Sequence, residues 1–198
     1  MIARRKIITV DESAYRTMPE RFSTIYADPP WPERGGGQTV RGAQKHYTLM
    51  SIQQIAFLPV SDWAEPNAHL YMWVTNNYLP QGLTIMQTWG FRYITTITWL
   101  KNRIGLGQYY RGMTEHCLFG VRGKLPYRTL PDGKRAQGVT GFVADRTTHS
   151  TKPINMRHMI ERVSPGPYLE LFGRRPVEGW TVWGNEEGMG CGRLPPVK

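Results

Sequence analysis

The run Ala68-His69-Leu70-Tyr71-Met72-Trp73-Val74 constrains the fold of this chain more than any other feature. It is apolar almost throughout, the pattern of a strand covered on both faces, and such a strand needs helices above and below its sheet. The rest of the sequence supplies them. Leu79, Leu83, Met86 and Trp89 fall at helical spacing over residues 77–89, with Gly90 just past the end. Met156, Met159, Ile160 and Val163 stripe a second helix, opened by Thr151-Lys152-Pro153 and closed by Ser164-Pro165-Gly166. Ser51 is placed to cap a short helix reaching Leu58. Further strands are expected at Phe22–Ala27, Arg92–Leu100, His116–Val121, Tyr168–Phe172 and Trp180–Gly184. Strands alternating with helices predict an α/β domain with a mostly parallel sheet, in which ligands bind at the carboxyl ends of strands.

A length of 198 residues suits a single domain. Residues 1–20 read as a peripheral segment and 188–198 as a tail. Residues 102–113 and 123–150, rich in Gly, Arg, Lys and Thr, read as loops, and a loop of the second length usually has a function. Cys117 and Cys191 are too few for a disulfide framework and make no zinc pattern with the five histidines. A reduced, intracellular protein without a metal is expected. No apolar run approaches the ~20 residues of a spanning helix, so the expectation is a soluble, cytoplasmic chain with no membrane partner. The net charge is +10, and Lys101–His158 holds eleven basic residues against three acidic ones. A surplus gathered in one stretch points to a polyanionic partner, the competing explanation being solubility.

Asp28-Pro29-Pro30-Trp31 directly follows the β-prone run Phe22–Ala27. Neither proline has an N–H to donate, so the strand stops there. The stiff backbone lets the Asp28 carboxylate and the Pro29 carbonyl, both acceptors, aim at one point. The exocyclic amine of a flipped base offers two N–H donors to such a pair, and Trp31 supplies a flat face for stacking. Holding the amine lone pair toward an electrophile is catalysis by positioning. The competing reading is a plain proline-rich turn.

Tyr26-Ala27-Asp28-Pro29-Pro30-Trp31 resembles the Asp-Pro-Pro-Trp motif of the S-adenosylmethionine-dependent N6-adenine methyltransferases, in the branch that includes the messenger-RNA adenosine methyltransferase and bacterial and phage enzymes. The resemblance continues through Leu70–Thr75, Trp89-Gly90-Phe91, Trp99-Leu100-Lys101, Glu115–Gly123, His149–Pro153, Met159–Gly166, Glu170–Arg174 and Trp180–Asn185. It spans roughly residues 22–187, and its ordered motifs are specific together. It implies a Rossmann-like methyltransferase fold with circularly permuted motif order, the catalytic motif preceding the cofactor segment. It also implies S-adenosylmethionine as cofactor and adenine N6 in DNA as acceptor, with an RNA adenine methyltransferase or a silent nucleic-acid-binding partner subunit as alternatives. The chain would act as a monomer or a homodimer.

Carried onto this sequence, the resemblance makes Asp28, Pro29, Pro30 and Trp31 the catalytic motif. Asp28 would also face the cofactor's amino group. Lys152 would pair with the cofactor carboxylate, Phe172 and Gly173 would line the cofactor, Arg174 would hold its ribose, and Asn185 and Glu186 its adenine. Glu186 stands where the messenger-RNA enzyme has glutamine. Tyr47 matches a tyrosine beside the acceptor base, which would sit against Trp31. Arg128, Lys134 and Arg135, in the long basic loop, are the candidate phosphate contacts.

Overall fold

The computed structural model describes residues 18, 20–32, 49–105, 107, 109–124, 127–145 and 152–184. Among them lie seven strands, β1 Phe22–Ala27, β2 Ala64–Val74, β3 Arg92–Lys101, β4 Thr114–Arg122, β5 Gly141–Ala144, β6 Tyr168–Leu171 and β7 Trp180–Trp183. The helices are α1 Ile52–Ala56, α2 Val60–Trp63, α3 Leu79–Thr88 and α4 Asn155–Val163. One sheet takes the order β5-β3-β4-β2-β1-β6-β7. Four pairings are parallel (β1 with β2 and β6, β3 with β5, β6 with β7), and β4 runs antiparallel between β2 and β3. The fold is the mostly parallel α/β sheet that the strand pattern predicts, Rossmann-like as the resemblance implies.

Successive residues of a strand face opposite sides, and β2 uses both. Leu70, Met72 and Val74 join Ile25, Leu118 and Leu169 in a core with α1, α2 and α3, through Ile55, Trp63, Ile85 and Met86. Tyr71 and Trp73 face the other way and pack with Tyr26, Trp99 and Cys117 beneath Met156 and Ile160 of α4. Burying each such side chain contributes about 1.5–3 kcal/mol, so β2 alone fastens both helical layers. Ser51 caps α1 through a reciprocal pair, its Oγ accepting from the Gln54 amide at 3.1 Å and its own amide donating to Gln54 Oε1 at 2.8 Å. That helix ends at Ala56, two residues short of Leu58.

Two expectations need correction. Strand β2 begins at Ala64, not Ala68; its first residues include an exposed Pro66 and Asn67, so hydrophobicity does not mark them. Residues 123–150 are not loop throughout: Gly141–Ala144 pairs with β3, and Thr129 bridges Arg135. Strand β5 is short, lies at the sheet's edge and leaves Val143 70% exposed, so it carries no core pattern.

Strand directions fix two edges of the sheet. At the carboxyl edge end β1, β2 and β6. Because β4 runs backward, its first residues and the last of β3 arrive there too, with His116 opposite Val74 and Glu115 opposite Trp99. The 102–113 hairpin therefore stands at this edge. At the amino edge, Arg122 lies opposite Ala68 and α4 ends at Val163. The Ser164 hydroxyl closes that edge against His69 Nδ1 at 2.7 Å and Tyr71 Oη at 2.8 Å.

Candidate active site

Strand β1 is the switch point of the sheet, since the chain continues from it to β2 on one side while β6 and β7 lie on the other. Crevices at such points are where doubly wound sheets bind ligands. Asp28 is the first residue past β1, and its amide donates at 3.3 Å to the carbonyl of Leu171, the last residue of the neighbouring strand β6. The chain continues from Leu171 into Phe172, Gly173 and Arg174, so the crevice gathers Asp28 with the proposed cofactor segment.

Phe172 takes φ +66°, the left-handed region that a side chain makes costly by about 1–2 kcal/mol. Its amide donates to the Trp183 carbonyl at 2.6 Å. Gly173 is glycine for lack of room: a Cβ there would overlap Val182 Cγ1 and lie 3.2 Å from Glu170 Cγ and Cδ. Below the turn, Arg157 of α4 grips Glu170 with both ends of its guanidinium, at 2.9 and 2.7 Å. The turn is thus strained in one residue and clamped from two sides.

Lys152 Nζ reaches both Asp28 oxygens, at 2.8 and 2.7 Å, and lies 3.6 Å from Glu115 Oε2. It also sits 5.4 Å from the centre of the Trp73 ring, over its face. Lys101, at the end of β3, holds the other Glu115 oxygen. Four alternating charges therefore cross the carboxyl edge in the order Lys101, Glu115, Lys152, Asp28. Burial pushes the Asp28 carboxyl above its ordinary range, and Lys152 and Arg174 pull it only part of the way back. Burial pushes on Glu115 too, but Lys152 and Lys101 outweigh it and hold Glu115 below the ordinary range. Glu115 and Lys101 are not among the site residues expected from the sequence. A signal for them exists: a carboxylate opening the apolar strand Cys117–Val121 must be answered by a cation.

The two prolines are already engaged. The Pro29 carbonyl accepts from the Trp31 amide at 2.9 Å, leaving one lone pair, and the Pro30 carbonyl accepts from Met50 at 3.0 Å. Trp31 departs from its expected duty as a stacking face. The residue is 8% exposed, and its ring lies parallel to Tyr78 with centroids 5.4 Å apart and donates Nε1–H to the Trp73 carbonyl at 2.9 Å. It ties the end of β1 to the end of β2, so its indole is a brace.

The expected phosphate contacts also fall elsewhere. Arg128 bonds through its side chain to the Glu161 carbonyl and through its amide to that of Val163, both at the end of α4 and the amino edge. Lys134 pairs with Asp132 at 3.3 Å, and Arg135 covers the Tyr127 ring at 4.2 Å. These residues share one small hairpin across the sheet from Asp28. The basic stretch Lys101–His158 is therefore not one surface, since Lys101, Lys152 and Arg157 are spent on acidic partners and the other described basic residues divide between two edges. Tyr47, Asn185 and Glu186 lie outside the described residues. Among the described residues, no group of three or more His, Cys, Asp or Glu could hold a metal ion, and no helix is long and apolar enough to cross a membrane.

The MT-A70 family model matches residues 22–186. The type II methyltransferase M.MunI of Mycoplasma sp. is 27% identical over 201 residues, covering 91% of this chain and 84% of that protein. The N(6)-adenosine-methyltransferase catalytic subunit METTL3 of Homo sapiens is 29% identical over 181 residues, covering 84% of this chain and 28% of the human one. A putative N(6)-adenosine-methyltransferase MT-A70-like of Medicago truncatula is 28% identical over 177 residues, covering 84% and 26%. The chain thus spans most of the bacterial relative and about a quarter of the plant and animal ones.

Proposed function

Because the chain belongs to the MT-A70 family, we propose that it transfers a methyl group from S-adenosylmethionine to N6 of adenine in DNA, using Asp28, Lys152 and the Phe172–Arg174 turn. Methyltransferases of this family take the methyl from S-adenosylmethionine, which supplies an electrophilic methyl on a sulfonium. The residues at the crevice fit that molecule. Its amino-acid end carries both signs, and the crevice offers one carboxylate, Asp28, beside the Lys152 ammonium, with Arg174 near enough to act on Asp28. Arg174 would hold the ribose hydroxyls.

The observation that carries the proposal is the Asp28–Lys152 pair at the meeting of the β1 and β6 ends. Asp28 accepts one N6–H of the adenine and the remaining lone pair of the Pro29 carbonyl accepts the other, which turns the N6 lone pair toward the methyl. The proton that N6 sheds passes to an Asp28 oxygen, which burial has made more basic than an ordinary carboxylate. In a duplex the adenine must leave the stack to reach this point. DNA is preferred over RNA because the alignment runs nearly end to end with the type II methyltransferase; RNA is the alternative that the adenosine methyltransferases support.

The test is transfer of labelled methyl to DNA and RNA of matched sequence, with wild type and Asp28→Asn. Label in adenine of DNA that vanishes in the variant, at an unchanged melting temperature, is the expected outcome. Label in RNA alone would reassign the substrate, and turnover retained by Asp28→Asn would remove Asp28 from the reaction.

A further inference from the structure

We propose that the tip of the β3–β4 hairpin is a stacking clamp for unpaired bases beside the target adenine, so that the substrate is a single-stranded or locally opened segment. This deepens the adenine-methylating function proposed above and rests on it. The hairpin leaves β3 at Lys101 and returns at Thr114, so both its stems join the charge ladder that ends on Asp28. Its tip presents Tyr109 and Tyr110, adjacent in sequence and each 93% exposed. Arg103 and Arg111 flank them, both exposed, and residues 102–113 contain no acid.

Hydrogen bonds among its described residues join the two sides of the hairpin. The Lys101 amide donates to the Met113 carbonyl at 2.8 Å and the Gly105 amide to that of Gly112 at 2.7 Å. Arg111 Nε donates to the Gly105 carbonyl at 2.9 Å, which leaves its terminal N–H donors for an acceptor. A Cβ on Gly107 would stand 2.8 Å from the Tyr110 carbonyl carbon, so only glycine lets the strands of the tip pass this close. Ordering two exposed rings on a fixed turn serves a ligand with flat apolar faces. Guanidiniums on either side, with no carboxylate among them, call for phosphates. Unpaired nucleotides offer both, since every base has a face to stack and every linkage a charge. Bases inside a duplex offer no free face.

The experiment uses the full chain and fluorescence anisotropy with a labelled single-stranded DNA carrying one adenine, and with its duplex. Tyr109→Ala/Tyr110→Ala should weaken single-strand binding by roughly tenfold or more, the scale of one or two lost base stacks. Tyr109→Phe/Tyr110→Phe, which keeps the rings, should bind like wild type. Cofactor affinity by calorimetry should be the same in all three. Unchanged single-strand affinity in the alanine variant would overturn the clamp. So would sedimentation showing a wild-type dimer that the alanine variant abolishes, which would make the tyrosines a contact with a second copy. Methyl transfer in the same preparations separates the two proposals. A wild type that leaves adenine unmethylated refutes the activity, while one that methylates, beside an alanine variant of equal affinity, refutes the clamp alone.

Discussion

Gly184→Ala tests whether the turn after β6 is the cofactor seat. An ideal Cβ at Gly184 would overlap the Gly173 carbonyl oxygen and lie 3.0 Å from its carbonyl carbon and 3.2 Å from its nitrogen, all backbone atoms. A carbon needs about 3.3 Å from a carbonyl oxygen, so the turn must retreat by on the order of 1 Å. Little can absorb that movement, because the Phe172 amide is fixed to Trp183 and the Asp28 amide to Leu171. Overpacking of this kind costs about 1–3 kcal/mol. In a domain of this size each kcal/mol is about 2–4 °C in melting temperature, so the expected fall is about 2–12 °C. A displacement of ~1 Å at a positioning group costs ~100-fold in turnover. Calorimetric titration with S-adenosylmethionine and a melting curve read the two effects. Gly173→Ala is the control, because its clash is with the Val182 side chain. Adding Val182→Ala should return part of its lost stability, whereas Gly184→Ala has no such single relief. A Gly184→Ala protein that melts lower yet binds the cofactor as wild type does would refute the placement of the seat at this turn.

Lys152→Met should weaken S-adenosylmethionine by about 1.5–3 kcal/mol, the range for a hydrogen bond to a charged group; equal affinity by calorimetry would remove Lys152 from the seat. The same variant carries a pH signature. Burial raises the Asp28 carboxyl and Lys152 lowers it, so without the lysine it rises further and the acid limb of turnover moves to higher pH; no movement, or movement to lower pH, would contradict the pairing. Replacing Arg128, Lys134 and Arg135 together by alanine should leave the salt dependence of nucleic-acid affinity unchanged, because their hairpin lies at the amino edge. A flattened slope would return them to the substrate path.

The legible parts of the chain are those that hydrophobicity marks. Strands β1, β6 and β7 and the buried part of β2 announce themselves because a strand covered on both faces must be mostly apolar, with the few polar exceptions such as Thr24, His69 and Glu170 each hydrogen-bonded. Helix α4 does so because its stripe faces one core only. Strand β5 cannot be read this way: it borders solvent, alternates exposed and half-buried residues, and is held by backbone bonds to β3 that any sequence could make. The backward run of β4 is equally hidden, since an apolar run looks the same in either direction. That one unknown hides the edge at which the expected phosphate contacts Arg128, Lys134 and Arg135 emerge. Charge along a sequence gives an amount, and only strand direction says at which edge it emerges, so Arg111 and Arg128 are indistinguishable until β4 is known to run from one edge to the other. Trp31 shows the opposite error. Its motif reads correctly as a stop after β1, but a large ring beside a polar motif is as useful to the core as to a ligand, and the carbonyl of Trp73 claims it.

The reversal of β4 also divides the chemistry between two carboxylates. Were the strand between β2 and β3 parallel to β2, its first residue would open at the amino edge, and Lys152 at the carboxyl edge would be left with Asp28 alone as its acidic partner. Because β4 runs backward, Glu115 arrives at the carboxyl edge and shares Lys152 with Asp28, at 3.6 and 2.7 Å. Their environments then push them apart. Glu115 has two ammonium partners and stays ionised, while Asp28 has the closer share of one and a burial penalty that exceeds it. Where neighbouring carboxyls are driven in opposite directions, the raised one is the group that exchanges a proton and the lowered one is a fixed charge. In the proposed reaction Asp28 would then be the partner for the adenine amine, and Glu115 the anchor that keeps Lys152 at the crevice when Asp28 becomes neutral. Lys101 completes the division: by holding the far oxygen of Glu115 from the end of β3, it keeps that anchor aimed across the edge rather than out into solvent.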